Sequence, residues 1–262
     1  MLVPLEFSSI EKGVDKISGI IDSHMDNHVR WIKSLEEREP RRTWFVDTAN
    51  SDLFKGNQFI LRIREGLTSG DIETTLKCRH PDRYISASYD VSSKKKNLQV
   101  KFEEDVSVPF VSQFSLSGTF KKNKIPDLNR FRDLRQFFPR INITGIDQTK
   151  SLTTVNNFEP KEESYKIGSI KFTEKKWIDL YLNLWYSKME NKNKNALPLI
   201  VELTFNCEAK NISVKDKGHL EEYSIALLKE ANKLFHMLQK QGITDKTTTK
   251  TKTEFAYEYK RR

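Results

Sequence analysis

The stretch QFILRIREGLTSGDIETTLKCRH, residues 58–80, decides the fold. On either side of a glycine-containing turn its basic residues recur with a spacing of two, as Arg62 and Arg64 before the turn and Lys77 and Arg79 after it. This is strand spacing, because successive side chains of an extended chain point to opposite faces. The alternate positions are mainly apolar. The stretch therefore predicts two strands, each with one charged face and one apolar face.

Similar strand-like runs make up most of the chain. Eight of them lie between Arg41 and Phe205, and LVPLEFSSI, residues 2–10, is a short ninth candidate. Hydrophobic residues at helical spacing predict one helix over residues 11–38, and a second amphipathic pattern predicts a helix that ends at Gly242. This order excludes a simple α/β alternation and predicts an α+β protein, mainly β with flanking helices.

The chain shows no internal repeat and no obvious linker. We therefore predict a single domain over residues 1–242. Residues 243–262 form a polar, basic C-terminal tail, with a strand candidate at FAYEY, residues 255–259.

Composition limits the function classes. The 262 residues are 37% hydrophobic and 11% aromatic, which is enough to form a core. A net charge of +9 favours a polyanionic partner, either a phosphorylated small molecule or nucleic acid. The two cysteines form no metal-binding or disulfide pattern, and no apolar run indicates a targeting signal or a membrane span. We expect a cytoplasmic protein without a membrane partner.

The charged face can be interpreted in two ways. Polar outer faces are common in antiparallel sheets that pack on one side only. However, charged side chains crowd the strand centres here, and sheets of eight or nine strands tend to close or curl. If the strands close with the ionic face inward, Arg and Lys would line a channel suited to polyphosphate. The apolar face, with Leu61, Leu76, Val100 and Leu203, would then lie outside, beneath the two helices.

Several motifs occur in an order that resembles the CYTH superfamily, the triphosphate tunnel metalloenzymes. The segment WFVDTANSDLFKGNQFILRIRE is similar to the family's YFDT and LRIR segment, and TTLKCR to its TLK strand. KFEEDV resembles the acidic and basic strand that follows, and PLIVELTF the closing strand. The resemblance runs from residue 44 to residue 205 and implies a closed antiparallel β-barrel of about eight strands with flanking helices.

The resemblance also implies the site. Family members bind a linear triphosphate with Mg²⁺ or Mn²⁺ inside the barrel, and many of them hydrolyse it. By similarity, the phosphate-binding residues would be Arg62, Arg64, Lys77, Arg79, Lys101 and Lys171. The metal ligands would be Glu6, Asp179 and Glu202, and the catalytic residues would be Glu202 and Glu103.

Some family positions are changed, which weakens the expectation of catalysis. The first-strand ExExK motif is reduced to Glu6 in EFSSI, with Ser8 and Ile10 in place of the second Glu and the Lys, and Thr204 replaces a carboxylate of the last strand. Fewer carboxylates should mean weaker Mg²⁺ binding. The main hypothesis is therefore a triphosphate-binding protein, at most a weak metal-dependent triphosphatase. The alternatives are a non-catalytic phosphate-binding module and a nucleic-acid-binding module.

Overall fold

The structure is a computed structural model that describes residues 1–24, 29–92, 98–107, 111–141, 143–173, 176–187, 196–206, 217–244 and 250–260. The chain divides into two compact units. The first unit comprises residues 1–39 and 162–249, and the second unit comprises residues 40–161 and 250–262. Whether residues 1–242 form one domain stays a prediction.

The secondary structure is mainly antiparallel β. The strands are β1 (Arg30–Glu37), β2 (Arg41–Asp47), β3 (Phe59–Gly66), β4 (Ile72–His80), β5 (Gln99–Ser107), β6 (Val111–Lys122), β7 (Thr153–Thr154), β8 (Lys161–Thr173), β9 (Lys176–Tyr186) and β10 (Ile200–Asn206). The α-helices are α1 (Ile10–His24), α2 (Arg83–Ser88), α3 (Phe131–Phe137), α4 (Lys217–Lys240) and α5 (Lys252–Glu258). No described helix is both long and apolar enough to cross a membrane.

The antiparallel sheet is large but not closed, so the predicted closed β-barrel is wrong. In the second unit the strands pair in the order β7-β2-β3-β4-β6-β5, and in the first unit in the order β10-β9-β8-β1. Among the described residues, no pairing joins the two end strands, β10 and β5, of the sheet. The predicted first strand is missing, because Pro4 begins a short 3-10 turn and only Leu2 bridges Val201.

Two other local predictions are also wrong. The predicted helix over residues 11–38 is helical only up to His24, and residues 30–37 form β1, which pairs with β8. The strand candidate at residues 255–259 lies largely in helix α5. The predicted end of the second helix at Gly242 is confirmed, because α4 ends at Lys240 and Gly242 has the left-handed φ of 69°.

Each unit has its own hydrophobic core. In the first unit, Ile17 and Ile21 of α1 and Leu234 of α4 are buried in the same cluster as Leu182 of β9. This confirms that the two predicted helices contribute to the cover of apolar strand faces in that unit, and the predicted outer-face residue Leu203 packs against the same cluster.

The core of the second unit is covered differently from the prediction. Leu61 and Leu76 are fully buried on the apolar face, as expected, but they share their cluster with Phe131 and Leu134 of α3. Val100 on β5 is 56% exposed, so its predicted place beneath a helix is wrong. The apolar face of this sheet is therefore covered by the segment between β6 and β7, which is irregular and basic in sequence and contains α3.

Helix α5 packs into the second unit. Thr251 and Glu254 form a reciprocal capping box that fixes the first turn of the helix. Tyr257 packs its ring on Phe54 with centroids 4.3 Å apart, and its hydroxyl donates a 2.9 Å hydrogen bond to Asp47 Oδ2. The described part of the predicted basic tail, from Lys250 onward, is thus mostly folded structure.

Asp47 links this helix to the sheet. Its buried carboxylate accepts backbone N–H hydrogen bonds from Thr48, Leu53 and Phe54 in the turn after β2. With Tyr257, it therefore has four donors from two distant parts of the chain. Asp47 is a structural residue here, since its oxygens are occupied by the fold.

Candidate functional site

The strand register of the second unit brings most of the predicted phosphate-binding residues to one face. Residues directly opposite each other in antiparallel strands point to the same side. Arg62 is opposite Thr75, Lys77 is opposite Ser117, and Ser117 is in turn opposite Lys101. Together with the strand alternation, this register gives a surface that we call the basic face, made of Arg62, Arg64, Lys77, Arg79 and Lys101.

Carboxylates of the end strand β5 form ion pairs with cations of the basic face. Asp105 Oδ2 lies 3.2 Å from Lys77 Nζ and 3.0 Å from Arg79 Nη2. Glu103 lies 3.5 Å from Lys77 Nζ and 2.7 Å from Lys101 Nζ. Sequence analysis did not single out Asp105. Its spacing of two from Glu103 was the signal that it belongs with this cluster.

The two arginines of β3, Arg62 and Arg64, lie on the strand next to β4, which carries Lys77 and Arg79. Arg64 Nη1 is 3.7 Å from a carboxylate oxygen of Glu73, its register partner on β4. Thr75, opposite Arg62, makes a 2.9 Å hydroxyl–hydroxyl hydrogen bond with Thr119. The basic face therefore extends without a break from β3 across β4 and β6 to β5.

The inner cations of the basic face are shielded from water. The side chains of Arg64, Lys77 and Arg79 are 17%, 16% and 21% exposed, whereas the side chain of Lys101 is 55% exposed. Electrostatic interactions strengthen as water is excluded. The inner part of the face is therefore where an anionic ligand would be held most firmly.

Burial and charge together set the protonation of the cluster. Burial lowers the pKa of Lys77, and the neighbouring carboxylates only partly oppose this effect. Burial alone would raise the pKa of Asp105, but the charges of Lys77 and Arg79 and their hydrogen bonds bring its pKa below the ordinary value. The pKa of Glu103 is lowered in the same way, mainly by Lys77 and Lys101. A carboxylate with a lowered pKa is a weak proton acceptor, so the ion pairs with Lys77 and Lys101 make Glu103 a weaker base, and its catalytic role stays a prediction.

The remaining predicted site residues lie in the first unit. Asp179 accepts a 2.6 Å hydrogen bond from Ser169 Oγ and is 3.0 Å from Lys166 Nζ. Lys171 is opposite Arg30 in the register of β1 and β8. The predicted roles of these residues toward phosphate and metal stay predictions.

The predicted metal ligands do not form a cluster within the first unit. Glu6 lies in the turn before α1 and pairs with Lys16 at 2.8 Å. Glu202 is opposite Asn183, four positions along β9 from Asp179. Four strand residues span about 13 Å, far more than two ligands of one ion can be apart.

The second unit offers no better cation site, because Glu103 and Asp105 already neutralise lysine and arginine side chains. Nowhere in the described ranges do three His, Cys, Asp or Glu side chains form a group that could hold a metal. Within each unit taken by itself, the described carboxylates therefore do not fit Mg²⁺ or Mn²⁺. The dependence on a divalent metal stays a prediction.

No protein-family model matches the chain, and no curated protein matches it. Among solved structures, the chain is similar to HpAC1 from Hippeastrum, described as a proposed adenylyl cyclase with a dominant triphosphatase activity. The match has a TM-score of 0.43 and 13% sequence identity, and it covers 93% of this chain and 89% of that chain. A likeness at this TM-score carries no conclusion about the fold or the function of this chain.

Proposed function

We propose that this protein binds a linear polyphosphate of the triphosphate class on the basic face of its second unit. The observation that carries the proposal is the concentration of Arg62, Arg64, Lys77 and Arg79 on two adjacent strands, with the inner side chains shielded from water. Guanidinium groups match phosphate oxygens with paired donors, and the lysine adds a mobile point charge.

The spacing of the cations suits a ligand with several phosphoryl groups. Arg62 and Arg64 are about 7 Å apart along β3, and adjacent strands are about 4.8 Å apart. A single phosphate cannot contact Arg62, Arg64, Lys77 and Arg79 at once, whereas a linear chain of phosphates can lie along the two strands that carry them. The LRIR and TLK motifs that resemble the CYTH superfamily fall on these same two strands.

Hydrolysis is the weaker part of the proposal. The lowered pKa of Glu103 and the separation of Asp179 from Glu202 both argue against efficient metal-assisted attack. We expect binding to be readily measurable, and phosphate release to be slow or undetectable with either Mg²⁺ or Mn²⁺. Binding and release should therefore be measured separately.

The test is isothermal titration with inorganic triphosphate, comparing the wild type with Arg62→Ala and Arg132→Ala. Hydrogen bonds to charged groups contribute about 1.5–3 kcal/mol, so Arg62→Ala should raise the Kd by roughly 10- to 150-fold. Arg132 is 59% exposed and lies on α3, which covers the opposite, apolar face of the sheet. Arg132→Ala removes the same charge and should change the Kd by less than about twofold.

Two results would contradict the proposal. Absence of triphosphate binding by the wild type at millimolar concentration would exclude the proposed function. An equal loss of affinity in the two arginine variants would show that net charge attracts the ligand without a specific surface. If single-stranded or duplex nucleic acid bound more tightly than triphosphate, with a steep dependence on salt, the nucleic-acid alternative would replace this one.

A further inference from the structure

The basic face already contains an internal anion. One oxygen of Asp105, Oδ2, contacts both Lys77 Nζ and Arg79 Nη2, at 3.2 Å and 3.0 Å. A phosphoryl oxygen bound between these two cations would have to take the same position. The carboxylate and a ligand are therefore mutually exclusive there.

The exposures indicate which partner can move. The side chain of Asp105 is 45% exposed, while those of Lys77 and Arg79 are 16% and 21% exposed. Asp105 belongs to β5, which among the described residues pairs only with β6. The short, more exposed aspartate can swing toward solvent and leave the two shielded cations in place.

Two buried polar groups on the basic face, one of them in the guanidinium group that Asp105 contacts, also point to a ligand. Arg79 Nε and Ser115 Oγ have no hydrogen-bond partner among the described residues, and the two residues are directly opposite in the register of β4 and β6. Buried polar groups are normally hydrogen-bonded to protein or to a bound molecule. A phosphoryl group that replaced Asp105 would bring oxygen acceptors next to the Arg79 guanidinium, opposite Ser115 in the register.

We infer that Asp105 is a resident counter-anion that every phosphate ligand must displace from Lys77 and Arg79, and that it sets the minimum length of the ligand. This inference rests on the proposed polyphosphate-binding function. A ligand can bind only when the Asp105 carboxylate has moved away from Lys77 and Arg79, and this arrangement is only partly populated. The need to move Asp105 therefore reduces the affinity of all ligands by the same factor. An inorganic phosphate that gains only these two cations is then bound weakly, whereas a triphosphate that also reaches Arg62 and Arg64 is retained.

The experiment compares Asp105→Asn with Glu104→Gln, each of which removes one carboxylate charge from β5. Glu104 points to the other face, where it accepts a 2.7 Å hydrogen bond from Ser112 Oγ. Inorganic phosphate, pyrophosphate and triphosphate are titrated calorimetrically without metal. Asp105→Asn should tighten the binding of all three by a similar factor, roughly tenfold, while Glu104→Gln should stay within about twofold of the wild type.

The outcomes separate this inference from the proposed function. If the wild type binds triphosphate and Asp105→Asn binds it no more tightly than Glu104→Gln does, the counter-anion role is wrong and the site remains. If neither the wild type nor Asp105→Asn binds any of the three ligands, both proposals are wrong. Binding by Asp105→Asn alone would support masking by Asp105. Should Asp105→Asn not fold, Glu103→Gln removes a carboxylate 3.5 Å from Lys77 and should give a smaller gain of the same kind.

Discussion

The hydrogen bond between Tyr257 and Asp47 allows a sharp test of the C-terminal helix. The Tyr257 hydroxyl donates to Asp47 Oδ2 at 2.9 Å, and both side chains are buried. Burial raises the pKa of Tyr257, so the hydroxyl stays protonated and remains a donor. Tyr257→Phe deletes this donor while keeping the ring that packs on Phe54.

The expected loss follows from the environment of Asp47. A hydrogen bond to a charged group contributes about 1.5–3 kcal/mol, and removing one partner leaves the other buried without it. Three backbone donors remain on Asp47, so the loss should lie near the lower end of that range. Each kcal/mol corresponds to about 2–4 °C in Tm for proteins of this size class. We expect a decrease of about 1.5–2 kcal/mol in the free energy of unfolding.

The loss should also depend on pH. Burial raises the pKa of Asp47, and its hydrogen bonds, including the one from Tyr257, oppose that rise. Without Tyr257 the folded-state pKa rises further, so the folded variant binds a proton more readily than the folded wild type does. A raised folded pKa contributes stability at low pH that is lost as pH increases through it. The difference between the wild type and Tyr257→Phe should therefore be larger at pH 7 than near pH 4.

Urea unfolding followed by tryptophan fluorescence at both pH values is the assay, with Tyr259→Phe as the control. The Tyr259 ring stacks on Phe158 with centroids 4.0 Å apart, and the hydroxyl makes no hydrogen bond to the described part of the chain. Tyr259→Phe should be within about 0.5 kcal/mol of the wild type. Equal effects of the two variants, or a Tyr257→Phe effect that does not change between the two pH values, would refute the assignment of the bond.

Two further predictions concern the sheet of the second unit. The lowered pKa values of Asp105 and Glu103 mean that the folded state binds fewer protons than the unfolded state in the ordinary carboxyl range, so stability should fall as pH decreases through that range. Asp105→Asn should make this decrease shallower in urea titrations at several pH values, and parallel curves would contradict it. Gly118→Ala would place a Cβ only 2.5 Å from the carbonyl oxygen of Val91, so we expect a loss of about 1–3 kcal/mol, and an unchanged unfolding midpoint would show that the β6 backbone can shift.

Local alternation in the sequence was sufficient to predict the faces of the central strands. Leu61 and Leu76 are fully buried while Arg64 and Lys77 lie on the opposite face, as the spacing of two predicts. The reason is physical, since a shift of one residue in register would place the whole charged set in the core. The chemistry of the basic face was therefore readable from two short segments.

Contacts between distant parts of the chain were not readable in the same way. Residues 30–37 continue the helical spacing of α1, yet pairing with β8 makes them a strand, because tertiary pairing outweighs local preference. Closure of a sheet likewise depends on whether its two end strands pair with each other. The alternation of residues within one strand does not predict this. The place of Asp105 between Lys77 and Arg79 depends on the register of β5 with β6 and of β6 with β4, which spans distant segments.

The position of helix α5 has a consequence for biosynthesis. The second unit begins at Pro40, but it also includes helix α5, whose Tyr257 lies 210 residues after its partner Asp47. Nascent chains are synthesised from the N-terminus. Strands β2 to β7 are thus made long before the helix that satisfies Asp47 is available. We expect this unit to reach its final form only after α5 has been synthesised, and a product truncated before Lys250 to leave the buried Asp47 without its tyrosine donor.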